Sequence, residues 1–79
     1  MSNKRTKGPQ THIAKVIEIS AASDKSIEDA VQLGLSGVAK TIGEIRSAWI
    51  SGIKACTSPE GEIDEWRVDM RVSFIVKSD

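Results

Sequence analysis

The chain has 79 residues, 39% hydrophobic and 28% charged, and its eleven basic groups cancel its eleven acidic ones. A length like this supports one domain, and a single core of that size is marginal without a disulfide, a metal or a partner subunit to staple it. Cys56 and His12 are the sole cysteine and histidine, which excludes an internal disulfide and a Cys/His zinc site, so self-association is the staple that remains.

Residues 1–12 read as a flexible basic lead-in. Three of the eleven basic residues, Lys4, Arg5 and Lys7, fall in the first ten positions, so the other eight face all eleven acidic groups in the body that follows. Three cations ahead of a mildly acidic body make a poor electrostatic footprint for nucleic acid. The stretch lacks the apolar h-region of a secretory signal, and no apolar run approaches the ~18 residues of a membrane span. The expected location is cytoplasmic, with neither membrane nor nucleic acid as partner. Gly8-Pro9 is a breaker pair that closes the segment.

Ile13 to Ser20 is predicted as a strand from its β-branched content, with Ile13, Lys15, Ile17 and Ile19 on one face and Ala14, Val16, Glu18 and Ser20 on the other. Ala21 to Lys25 is predicted as a turn. Ser26 is a candidate N-cap, with Glu28 and Asp29 in the first turn, where carboxylates suit the helix dipole. Ile27, Ala30, Val31, Gly34, Val38, Ile42 and Ile45 then recur at helical spacing. Gly34, Gly37 and Gly43 each cost up to about 1 kcal/mol in a helix interior. Such a helix needs tertiary support, and its missing side chains permit close packing on a sheet.

Ser47 to Cys56 alternates as a second strand, with Trp49, Ser51, Ile53 and Ala55 on one side and Ala48, Ile50, Gly52, Lys54 and Cys56 on the other. Thr57 to Gly61 is turn chemistry, Pro then Gly. The third strand, Glu62 to Lys77, puts Trp66, Val68, Met70, Val72, Phe74 and Val76 on one face and Arg67, Asp69, Arg71, Ser73 and Ile75 on the other. The fold class is α+β in the order β-α-β-β, with the last two strands an antiparallel hairpin. One helix covers one sheet face, so the charged face with Arg67, Asp69 and Arg71 is left for water, another subunit or a ligand.

Catalysis has little to work with. One histidine beside the lead-in builds no Ser/His/Asp arrangement, and Cys56 has no base near it in sequence, so it reads as a small structural residue. Glu60, Glu62, Asp64 and Glu65 offer hard oxygen donors to a cation such as calcium, without the order of an EF-hand loop. Trp66 shares its face with the apolar residues of its strand and is expected in or beside the core. Trp49 follows the helix among small residues (Ser47, Ala48, Ser51, Gly52), where its ring can either stack on a planar ligand or plug a subunit interface.

Four segments in order carry a family resemblance: Ala14-Lys15-Val16-Ile17-Glu18-Ile19-Ser20, Ser26-Ile27-Glu28-Asp29-Ala30-Val31-Gln32, Ile45-Arg46-Ser47-Ala48-Trp49, and Trp66-Arg67-Val68-Asp69-Met70-Arg71-Val72-Ser73-Phe74. Residues 13–77 resemble a dodecin. The resemblance implies a three-stranded antiparallel sheet wrapped around one helix, assembly as a hollow homododecamer, and non-enzymatic flavin storage with flavins stacked in pairs between subunits. In flavin-binding dodecins a Trp just after the helix stacks on the isoalloxazine and a Gln on the third strand bonds its polar edge. The Trp place falls here on Ser47, with Trp49 two residues on, and the Gln place falls on Arg67. The resemblance therefore implies Trp49 stacking on the flavin (FMN, riboflavin or FAD), Arg67 at its polar edge, and Ser47 lining the vacated space. Alternatives within the same resemblance are calcium bound at the acidic hairpin, coenzyme A held by Arg67, Arg71 and Lys54, or an assembly without ligand.

Overall fold

A computed structural model of the chain describes residues 13–76, so the basic lead-in expected over residues 1–12 lies outside the described residues. Four elements follow one another: strand β1 (Ile13–Ser23), helix α1 (Ile27–Ile42), strand β2 (Ile45–Thr57) and strand β3 (Ile63–Val76). They form the expected α+β arrangement, a three-stranded antiparallel sheet in the order β1-β3-β2 with the helix on one face. The strand with the cleanest alternation takes the centre, where both edges of its backbone are paired.

β1 runs three residues beyond the predicted Ser20. Ala21, Ala22 and Ser23 pair with Val68, Arg67 and Trp66, and the small side chains of Ala21 and Ser23 on the helix side leave room for the helix above. Ser23 is buried; its hydroxyl donates to Asp29 Oδ2 at 2.6 Å and accepts from the Lys25 backbone N–H at 2.9 Å. The chain thus turns only at Asp24 and Lys25. The helix starts where the sequence places it, with Ser26 Oγ accepting from the Asp29 N–H at 2.9 Å.

α1 ends at Ile42, one turn short of Ile45. Gly43 takes φ +107°, which side-chain-bearing residues rarely adopt, and its N–H closes on the Ala39 carbonyl at 3.1 Å. Ile45 keeps its apolar role from a different element, opening β2 opposite Phe74 and packing on the core.

The core lies between α1 and the centre of the sheet. Ala30, Val68, Met70 and Val72 are fully buried, with Ile17, Ile19, Ile27, Val31, Leu35 and Val38 packed around them. Burying a valine side chain contributes roughly 1.5–3 kcal/mol. Gly34 is what lets the helix come down onto the sheet: a methyl group there would lie 2.7 Å from Met70 Cε and 3.1 Å from Ala21 Cβ. Gly37 has open space around it, so the close-packing role expected of the glycines belongs to Gly34 alone, while Gly43 serves as the cap.

β2 departs from strict alternation. Its pairing with β3 shifts register at Ser51, where an extra residue bulges, so Trp49 and Ile53 lie on opposite faces and not on the same one. Ile50 and Ile53 pair with Met70 and Val68 on the helix-side face, yet they remain 47% and 53% exposed because α1 sits mainly over β1 and β3. An apolar strip on β2 is therefore uncovered within one chain.

Candidate functional site

The face away from α1 is built in rows of directly paired residues. Val16, Ser73 and Ser47 form one row, Glu18, Arg71 and Trp49 the next, then Ser20, Asp69 and Gly52, then Ala22, Arg67 and Lys54. All three candidate residues, Trp49, Arg67 and Ser47, share this face, since each belongs to a row containing an odd-numbered β3 residue. The register also places Ser47 and Trp49 one row apart on the same face, as two residues along a strand require.

Trp49 is 61% exposed. Its neighbouring rows carry small residues on β2: Ser47 on one side, Gly52 on the other. The Ser47 and Ser73 hydroxyls are hydrogen-bonded to each other at 2.8 Å, so the row beside Trp49 carries a small, mutually satisfied pair. The indole beside it is largely exposed. A planar aromatic ligand fits this arrangement, with stacking worth roughly 1–3 kcal/mol.

The two open-face arginines differ in their engagement. Arg67 Nη2 donates to Glu65 Oε2 at 2.9 Å. That hydrogen bond to the Glu65 carboxylate is the largest influence holding its guanidinium above the ordinary arginine range. The one cysteine, Cys56, is half-buried and free. Arg71 Nε donates to Glu18 Oε2 at 3.3 Å, and Arg71 is the residue directly across from Trp49. Arg67 stands four residues further along β3, about 13 Å at the strand rise. A single ligand touching Trp49 and Arg67 either lies along the strand or sits between two copies.

Between these residues the surface is polar and concave. Shallow hollows of about 380 Å³ (Glu18, Ser20, Ser51 and Asp69) and about 330 Å³ (Lys54, Arg67, Gly52 and Asp69) meet at Ser20 and Asp69. Asp69 Oδ1 accepts from the Ser20 hydroxyl at 2.6 Å, and its backbone carbonyl accepts from Ser51 Oγ at 3.1 Å. On the opposite side, between β1 and α1, an apolar groove of about 420 Å³ is lined by Ile19, Leu33, Val38 and Ile42 and carries no charged group.

At the hairpin, Ser58 organises the turn, accepting on Oγ from the Glu60 and Glu62 N–H groups at 3.2 and 3.3 Å. Among the described residues no group of three or more His, Cys, Asp or Glu side chains is placed to hold a metal ion, so Glu60, Glu62, Asp64 and Glu65 do not converge as a calcium site would need. The residues that sequence reading under-weighted are Glu18 and Arg71. Alternation put Arg71 on the open face of β3 and Glu18 on the face of β1 opposite Ile17 and Ile19, but only the strand register sets them in line with Trp49.

The family model described as Dodecin matches residues 13–77. Among solved structures, a Thermus thermophilus protein superposes with a TM-score of 0.79 at 22% identity, covering 86% of this chain and 98% of that one. The dodecin from Streptomyces davaonensis gives 0.80 at 20% identity, with 86% and 98% of the two chains covered. That from Streptomyces coelicolor gives 0.80 at 16% identity, with 87% and 97% covered. No curated protein matches the chain. At these identities the structures share the fold.

Proposed function

The chain belongs to the dodecin family, and from that premise we propose that it is a non-enzymatic flavin-binding protein that stores or sequesters flavin within a homododecamer. The observation that carries this reading is Trp49, a large ring 61% exposed on a polar sheet face, flanked by serines and a glycine. An indole left in water costs hydrophobic free energy that a stacked isoalloxazine recovers. Ser47 and Ser73 would line the space beside it, and Arg67 of the same or another copy would meet the polar edge of the ring. The bound flavin supplies an aromatic face and a set of hydrogen-bonding atoms; the chain supplies stacking, donors and shelter.

Assembly has its own support. Among the described residues only four are fully buried, while Ile50, Ile53 and Leu33 stay about half exposed. A core this small gains what it lacks when copies cover one another's apolar strips. The described residues contain no helix long and apolar enough to cross a membrane.

The direct test is a fluorescence titration of riboflavin and FMN against the sized oligomer. Saturable quenching near one flavin per subunit supports paired stacking between copies. Flavin that stays fully fluorescent at micromolar protein rejects flavin storage and leaves the coenzyme A or purely structural reading.

A further inference from the structure

Arg71 stands opposite Trp49, where directly paired residues of an antiparallel sheet bring their Cβ atoms about 4.5–5.5 Å apart. Its side chain is 58% exposed and uses only Nε, toward Glu18. Among the described residues Nη1 and Nη2 donate to no protein acceptor, whereas Arg67 has already committed Nη2 to Glu65. The nearest other anion on β3, Asp69, has one carboxylate oxygen taken by Ser20. A ring lying on Trp49 would thus have, on the neighbouring strand, a guanidinium whose outer pair of nitrogens is unclaimed.

Planar, paired N–H donors match a phosphate better than any neutral hydroxyl. We propose that Arg71 is the anion contact of the Trp49 site and that the site selects a flavin carrying a terminal phosphate monoester over one ending in a neutral ribityl chain. This rests on the flavin reading above and adds the ligand class to it. Glu18 balances the charge of Arg71, so selection comes from the guanidinium fork at short range and not from a long-range field. Glu18 also draws the Arg71 Nε toward β1, away from Trp49, which stays 61% exposed.

The experiment is a pair of titrations, riboflavin and FMN, on the intact oligomer of the wild type and of Arg71→Ala and Arg71→Gln, with oligomer size checked for each. The wild type is expected to bind FMN at least about tenfold more tightly than riboflavin, the scale of one charge-assisted bidentate contact. Both variants are expected to bring FMN down to the riboflavin level while riboflavin shifts by no more than about twofold. The FMN-to-riboflavin ratio within one preparation is insensitive to small changes in folding or assembly. Equal wild-type affinities, or a parallel loss of both ligands in the variants, overturn the assignment of Arg71 and leave flavin binding standing. Failure of the wild type to bind either ligand overturns both.

Discussion

Gly34 and Gly37 lie on one helix, three residues apart, and the same substitution is expected to act on them with opposite sign. Replacing a helical glycine by alanine gains up to about 1 kcal/mol by restricting the unfolded chain and favouring the helix. At Gly37 nothing lies within 4 Å of the new methyl, so Gly37→Ala should realise most of that gain. At Gly34 the methyl would meet Met70 Cε at 2.7 Å, Ala21 Cβ at 3.1 Å and Ile19 Cδ1 at 3.3 Å. The Met70 terminus is flexible and can swing aside, but Ala21 Cβ is fixed to the paired backbone of β1 and cannot. Overpacking of this kind costs about 1–3 kcal/mol, so Gly34→Ala should come out destabilised by about 1 kcal/mol after the propensity gain. Thermal unfolding at one fixed protein concentration reads both, with about 4–8 °C expected per kcal/mol for a domain of this size. A melting point for Gly34→Ala at or above that of Gly37→Ala would refute the claim that helix and sheet close through Gly34.

Trp49→Ala should weaken FMN or riboflavin binding at least tenfold, about 1.4 kcal/mol, with the oligomer unchanged by size-exclusion; an unaltered affinity removes Trp49 from the site. Ser26→Ala loses the acceptor for the Asp29 N–H and should lower stability by about 1 kcal/mol in the same thermal assay, with Ser26→Asp retaining most of it. Gly43→Ala forces a side chain onto φ +107° and should cost about 1–3 kcal/mol, even though nothing crowds the site. A neutral result there would mean that the helix end can re-form without its present turn. Val68→Ala removes fully buried methyls between α1 and the sheet and should cost about 2 kcal/mol, with a correspondingly lower denaturation midpoint.

The uncovered apolar strip on β2 and the exposed indole on the other face suit a chain that is completed by its neighbours. Within one chain, Trp49 and Arg67 stand too far apart on the face to grip the same small contact area, yet Trp49 and Arg71 are in line. In the proposed assembly one subunit would contribute ring and anion contact together, and a second copy would close the site from above.

Local chemistry made most of the fold legible in the sequence. The β-branched run from Ile13, the Ser26 cap followed by helical periodicity, and the alternation of β3 are each written in residues a few positions apart, and short-range backbone and solvation forces read them directly. That Arg67, Asp69 and Arg71 turn away from the helix follows from the same alternation. The tertiary structure decided what depends on pairing at a distance. Whether Gly43 continues the helix or caps it is settled by Ile45, which gains more by joining β2 over the core than by extending α1. The bulge at Ser51 is settled by the need to keep Trp49 outward while Ile50 and Ile53 both face the helix side, a conflict that strict alternation cannot satisfy. Glu18, Arg71 and Trp49 come from three strands, with Trp49 lying 31 positions after Glu18 and 22 before Arg71. They meet because the β1-β3-β2 order sets them in one row, and that register is fixed by burying Val68, Met70 and Val72 beneath the helix.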